Sequence, residues 1–261
     1  MPGTFFSPQR SSPCFVPDTI GAMVEEPLSG GNWTVGVVRV DDTVRRPRTA
    51  RSDFTAKLLV HLRSAGYTFA PRYLGVDAQG RDTFEFIPGT ITSDPSERDE
   101  ASYAAAGAML RGLHDLTTGH PLAGVRQCVI HRDAGPFNTI FRDGMPVAFI
   151  DWDGARPGPW MVDLAYLGWT WCIQSNGTPA IRDQARRLRE LRDGYGRGDS
   201  HALLVAILRK QRYIARVSEA LAARPGQAEH YYAHHRRAVE WAVSDHRLTE
   251  QSFDLFLAAL R

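Results

Sequence analysis

The apolar positions change period along the chain. Val35, Val37 and Val40 alternate with other residues, Asp41-Asp42 interrupts them, and Thr43-Val44-Arg45-Arg46 resumes an extended pattern. That rhythm predicts two short strands joined by a turn. Between 52 and 64 the period switches, with Phe54, Leu58, Leu59 and Leu62 at helical spacing. Residues 73–76 and 83–87 read as two further strands, separated by the polar stretch 77–82. The first ninety residues are therefore expected to be β-rich with a single helix. Asp94-Pro95-Ser96-Glu97 combines a cap, a proline at the first helical position and a glutamate three after the cap. A helix is expected from there to about 114, with Tyr103, Ala106, Leu110 and Leu113 on one face. Beyond 163 the pattern is mostly helical, most clearly near 200–223, 229–245 and 249–260. Residues 1–18 carry Pro2, Pro8, Pro13 and Pro17, show no period and read as a loose tail. No internal repeat is visible.

The informative stretch is 128–153. Cys128-Val129-Ile130 is a short apolar run that leads into His131-Arg132-Asp133, and 139–141 and 146–150 are two more runs. Asp143-Gly144 between them is a strong hairpin signal. Asn138 precedes the first of these strands and Asp151 follows the second, so an antiparallel hairpin brings both to its open end. Asp133 lies five residues before Asn138 on the same loop. Two carboxylates and an amide should therefore converge within a few ångströms. A hard cation such as Mg²⁺ takes oxygen ligands from one or two carboxylates together with substrate phosphates. Asn138 and Asp151 suit that role, and Asp133 could accept a proton from an attacking hydroxyl.

Composition narrows the class. The chain has 261 residues, 43% hydrophobic and 23% charged, with a net charge of +2. It is large enough for one domain or two small lobes sharing a cleft. The weak charge argues against nucleic acid or an acidic membrane surface as partner. No apolar run approaches the roughly 20 residues of a membrane helix, and no basic leader precedes an apolar stretch. Cys14, Cys128 and Cys172 are too widely spaced for a metal clip and odd in number. A reducing cytoplasm is the expectation. Of 31 Lys and Arg, the lysines are only Lys57 and Lys210. His230, His234 and His235 read as a solvated helix face. Trp169 and Trp171 read as core. Nothing here speaks to oligomeric state.

His131-Arg132-Asp133-Ala134-Gly135-Pro136-Phe137-Asn138 resembles the catalytic loop H-R-D-x4-N of protein-kinase-like enzymes. Ile150-Asp151-Trp152-Asp153 is similar to the I-D-W-x segment that replaces D-F-G in the aminoglycoside phosphotransferase and choline kinase branch. Pro159-Trp160-Met161-Val162-Asp163-Leu164-Ala165 resembles that branch's P-x-x-x-D-L-A, and Leu113-His114 its L-x-x-L-H helix. The resemblance spans roughly 28–170 and implies an α+β, two-lobed protein-kinase-like fold. The boundaries would be a β-rich N-lobe at 19–87 and a helical C-lobe at 88–261, with the catalytic loop at 131–138 and the metal segment at 150–153. It implies transfer of the γ-phosphate of ATP or GTP, with Mg²⁺, to a hydroxyl of a small molecule. Asp133 would be the catalytic base, Asn138 and Asp151 the metal ligands. His131 would prop the loop, and Asp163 would hold it through backbone bonds. The Glu85 carbonyl and Ile87 amide would meet an adenine edge. No Ala-Pro-Glu follows Asp151, which argues against a protein substrate.

The pattern also departs from that family. A lysine on the third strand, paired to a glutamate on the next helix, ordinarily grips the α- and β-phosphates. Here the strand offers Arg45 and Arg46. Alternation lets only one enter the cleft, and Arg45 is the expected one, as a phosphate clamp. The only acid between 52 and 62 is Asp53, placed as a cap. Gly30-Gly31-Asn32-Trp33 is a short phosphate-loop candidate. The rival readings are a nucleotide-binding pseudo-enzyme with little turnover and a choline or amino-alcohol kinase. From 181 to 261 there are 15 Arg and Lys against 10 Asp and Glu, which argues against a strongly cationic aminoglycoside as acceptor.

Overall fold

Five short strands, each too small to stand alone, build the first layer. The structure, a computed structural model, describes residues 25–28 and 36–261. The tail 1–18 and the loop with Gly30 and Gly31 lie outside the described residues. Strands β1 (Glu26–Pro27), β2 (Val38–Val40) and β3 (Thr43–Arg46) are followed by helix α1 (Ser52–Ser64), then β4 (Tyr73–Val76) and β5 (Asp82–Glu85). They pair antiparallel throughout, in the order β1-β2-β3-β5-β4. Helix α1 buries Leu58, Leu59 and Leu62, three of the four residues its spacing nominated, and leaves Phe54 half-buried. The paired part of β5 ends at Glu85, two residues short of the expected 87. Phe86 still donates its amide to the Asp42 carbonyl at 2.9 Å before the chain leaves the sheet.

The helix expected at 94 begins later. Asp94 does cap, accepting from the Ser96 amide at 2.8 Å, but it caps a single 3₁₀ turn over Pro95–Glu97. The chain is then extended at Arg98, and α2 runs over Ser102–Thr117. Long-range bonds interrupt the helix. The buried Arg98 guanidinium donates to the Trp171 carbonyl at 3.1 Å and the Ser93 carbonyl at 2.8 Å. The Asp99 amide donates to the Gly144 carbonyl at 3.0 Å.

After α2 come β6 (Cys128–Ile130), β7 (Thr139–Arg142), β8 (Met145–Phe149) and β9 (Arg156–Gly158). β7 and β8 form the hairpin, with Asp143 (φ 52°) and Gly144 (φ 75°) both left-handed as a two-residue turn of this hand requires. β6 pairs with β9. The remainder is helical: α3 (Trp160–Cys172), α4 (Ile181–Tyr195), α5 (Ser200–Ala222), α6 (Glu229–Gln251) and α7 (Phe253–Ala259). α6 extends six residues past its expected end and takes the start of the expected last helix. His235 is not solvated: it is 6% exposed and meets Tyr231 edge-on at 4.5 Å. Trp169 and Trp171 are buried.

Helices α2 and α4 touch backbone to backbone. A Cβ at Gly107 would stand 2.1 Å from the Leu191 carbonyl oxygen, and one at Gly194 would stand 2.0 Å from that of Ala104. The architecture is α+β, an antiparallel sheet with one helix followed by a larger helical part. Among the described residues one apolar cluster runs from Leu58 and Phe84 through Leu110 and Phe149 to Leu204 and Phe256. The hairpin is tied to the preceding region by the Phe149 amide, which donates to the Phe69 carbonyl at 2.9 Å. No helix among the described residues is long and apolar enough to cross a membrane.

Candidate active site

β6 ends at Ile130 and delivers the loop 131–138 to the mouth of the hairpin. The loop is held from below by Asp163, in the first turn of α3. Its carboxylate accepts the His131 amide at 2.6 Å and the Arg132 amide at 2.7 Å, and His114 Nε2 lies 3.2 Å away. Asp163 is 1% exposed. Burial alone would push its carboxyl upward, but His114, the nearby His131 and the amides outweigh it and hold it below the ordinary range. His131 is fully buried and its Nδ1 accepts the Asp133 amide at 3.3 Å. Arg132 between them sits at φ 75°, a left-handed conformation that turns the next side chain outward.

Asp133 is gripped from two sides. The Tyr166 hydroxyl donates to its Oδ1 at 2.7 Å, and Asn138 Nδ2 donates to its Oδ2 at 2.8 Å. Burial raises the affinity of this carboxylate for a proton, and the Tyr166 bond opposes the rise. Asn138 also donates through Nδ2 to the Asp133 carbonyl at 3.0 Å. Its two amide protons are thereby directed at Asp133, and Oδ1 remains as an acceptor. The Ile150 amide donates to the Asn138 carbonyl at 2.9 Å and extends the hairpin by one bond, so that Ile150 stands opposite Asn138 and Asp151 follows directly. Asp151 is left-handed (φ 58°, ψ 63°), an uncommon state for a non-glycine residue, and its side chain is 49% exposed. Asp153, two residues on, has its carboxyl pushed up by burial while Arg46 pulls it down. Every donor here is oxygen, as a hard divalent cation requires.

Above the hairpin lies a cleft of about 470 Å³. Val37, Val44 and Phe84 line it from the sheet, and Ile140 and Ile150 from the hairpin. Glu85 and Ile87 are on its wall. Arg46 reaches it; Arg45 does not. The expected choice between the two arginines is therefore corrected. Val44 and Arg46 share the cleft face of β3, whereas Arg45 lies on the other face, its Nη1 3.3 Å from Asp77 Oδ2. Arg46 meets Asp151 at 3.4 Å and Asp153 at 2.5 Å. From α1, Thr55 and Leu59 face the cleft, so no helix carboxylate stands beside Arg46. Asp53 pairs with Arg48 instead. Among the described residues, Asp151 and Asp153 in the segment after the hairpin pair with Arg46.

Two residues of this site were missed from the sequence. Tyr166 follows Asp163 by three residues, and helical spacing puts them on one face; that was the available signal. Lys210 comes from α5, and only its rarity marked it.

The model of the phosphotransferase enzyme family matches residues 119–201. The trifolitoxin immunity protein of Rhizobium leguminosarum bv. trifolii is 32% identical over 192 residues, covering 65% of this chain and 73% of that protein. Among solved structures, a choline/ethanolamine kinase family protein from Mesorhizobium loti has a TM-score of 0.58 at 16% identity, covering 86% of this chain and 88% of its own. An ADP-bound aminoglycoside phosphotransferase has a TM-score of 0.57 at 14% identity, covering 88% and 95%. At such identities the likeness is one of fold, and that fold is the two-lobed kinase-like one.

Proposed function

Because the chain belongs to the phosphotransferase enzyme family, we propose that it moves the γ-phosphate of ATP, or of GTP, to a hydroxyl group of a small molecule. The observation that carries this reading is the pair of hydrogen bonds from Tyr166 and Asn138 that fix Asp133 beside Asn138, which with Asp151 lines the cleft. Asp133 would take the proton of the acceptor hydroxyl. Its raised proton affinity improves that match, since a base works best with a pKa nearer the working pH. Asn138 Oδ1 and Asp151 would hold Mg²⁺, which when bound neutralises charge on the phosphate oxygens. Arg46 would clamp the phosphates from the sheet side, in the place expected of a lysine. The apolar walls with Val44, Phe84 and Ile140 suit the two faces of a purine, and the backbone at Glu85 and Ile87 would meet its edge.

Most of the catalytic effect in this scheme is positioning and charge neutralisation. Asp133→Ala tests it. Phosphate transfer should fall by roughly 10²–10⁴-fold, the usual contribution of a general base, while nucleotide affinity stays nearly constant. A loss of less than about tenfold would remove Asp133 from the role. Nucleotide binding with no turnover toward any acceptor would favour a pseudo-enzyme.

A further inference from the structure

Lys210, in the middle of α5, is 8% exposed, yet among the described residues it has no hydrogen bond or ion pair. Its Nζ stands 4.5 Å from the centroid of the Tyr166 ring and 5.9 Å from that of Tyr213. Tyr166 is the residue whose hydroxyl binds Asp133. One aromatic ring therefore separates a buried ammonium from the proposed base. Burial pushes the Lys210 ammonium down to about 8. The carboxylates of Asp163 and Asp133 pull it back up, and the guanidiniums of Arg132 and Arg156 push it further down.

Those two arginines are neighbours for a clear reason. Arg156 pairs with Ile130 across the β6–β9 ladder, and Arg132 is two residues beyond Ile130. Arg156 also lies near Tyr213. Neither guanidinium has an acidic partner among the described residues, whereas Arg46, Arg111, Arg186 and Arg187 all do. The basic ground continues outward. Arg209, Arg212 and Arg216 line a second cavity of about 310 Å³ together with Tyr213, and no acid lines it. Positive charge gathered with only Asp133 and Asp163 to offset it, part of it buried, raises the free energy of the bare protein. An anion seated there would lower it.

We infer that the acceptor is itself an anion: a hydroxyl-bearing small molecule with a carboxylate or phosphate group held by Lys210, Arg132 and Arg156, its hydroxyl at Asp133. The inference rests on the phosphotransferase reading and adds the substrate class. In the transfer the acceptor oxygen bonds to the γ-phosphorus as the bond from that phosphorus to the β–γ bridging oxygen breaks. The leaving diphosphate keeps the electron pair, and the hydroxyl proton passes to Asp133. The basic side of the site supplies charge complementarity for the acceptor, while on the acidic side Asp151 lines the cleft and Asp153 is held by Arg46.

Binding and transfer are measured separately on the full chain loaded with Mg²⁺ and ADP. Saturation-transfer NMR compares D-glycerate, glycerol 3-phosphate, glycerol and choline, four small hydroxyl compounds that differ in charge. At least one of the two anions should bind at least about tenfold more tightly than glycerol or choline, an ordinary gain for a charge-assisted hydrogen bond; which anion does so tells carboxylate from phosphate recognition. Lys210→Met should reverse most of that preference. Arg156→Gln, on the exposed rim where folding is not at stake, should weaken anion binding severalfold. Equal binding of glycerol or choline overturns the inference, as does anion affinity unmoved by both variants, or no binding of either anion. Transfer assays with ATP and the same four compounds keep the two claims apart. Anion binding without transfer to any acceptor would overturn the phosphotransferase reading and leave the anion site standing. Transfer to glycerol or choline without anion binding would do the reverse.

Discussion

Arg46→Ala, set against Arg45→Ala, separates the two faces of β3. Arg46 has a side chain only 13% exposed, and it reaches Asp151 at 3.4 Å and Asp153 at 2.5 Å. In the nucleotide complex it would exchange part of those contacts for phosphate oxygens. A hydrogen bond to a charged group contributes about 1.5–3 kcal/mol, which is roughly 10- to 150-fold in affinity at about 1.4 kcal/mol per decade. Asp151 is half exposed and the arginine must give up existing bonds, so the lower end applies. Mg²⁺-ATP should bind about tenfold more weakly to Arg46→Ala. Arg45 contributes one contact to Asp77, and Asp77 keeps Arg81 at 2.7 Å when Arg45 is removed. Arg45→Ala should therefore leave nucleotide affinity within about twofold. Titration with a fluorescent ATP analogue at fixed Mg²⁺, with thermal melts as the folding control, reads both. A larger affinity loss in Arg45→Ala than in Arg46→Ala would refute the assignment of the faces.

Asp151→Asn should weaken nucleotide binding in Mg²⁺ far more than in EDTA; equal affinities with and without the metal would move the cation elsewhere. Tyr166→Phe removes a hydrogen bond that favours ionised Asp133. The Asp133 carboxyl then holds its proton to higher pH, and because a base must be deprotonated, the acid limb of kcat/KM should move upward in pH. An acid limb that stays in place or moves down contradicts the contact. Gly107→Ala places a methyl 2.1 Å from the Leu191 carbonyl oxygen, and backbone cannot yield as a side chain can. It should destabilise by about 1–3 kcal/mol, visible as a Tm several degrees lower with the α2–α4 crossing forced apart; an unchanged Tm would mean that the crossing has slack.

Local sequence determined the parts of this protein whose signals act over a few residues. The Asp143-Gly144 turn, with apolar runs on both sides, fixed the hairpin. The hairpin in turn put Asn138 and Asp151 at one end, because antiparallel pairing leaves no other place for residues that flank it. The loop from His131 to Asn138 and the role of Asp163 under it were legible from short motifs. Periodicity also located α1, α5 and every strand but β1 and β9, since it states which residues share a face. It does not state which face points inward. Arg45 and Arg46 are alternatives of that kind, and the pairing of β3 between β2 and β5, with Val44 turned to the cleft, decides between them. The start of α2 was likewise decided from a distance, by Arg98 bonding to Trp171 across 73 positions of chain. Lys210 reaches the neighbourhood of Asp133 from 77 residues downstream, through Tyr166 and the packing of α5 on α3. Such contacts exist only once the helices are packed, because a free energy that depends on two remote side chains leaves no periodic trace in either segment.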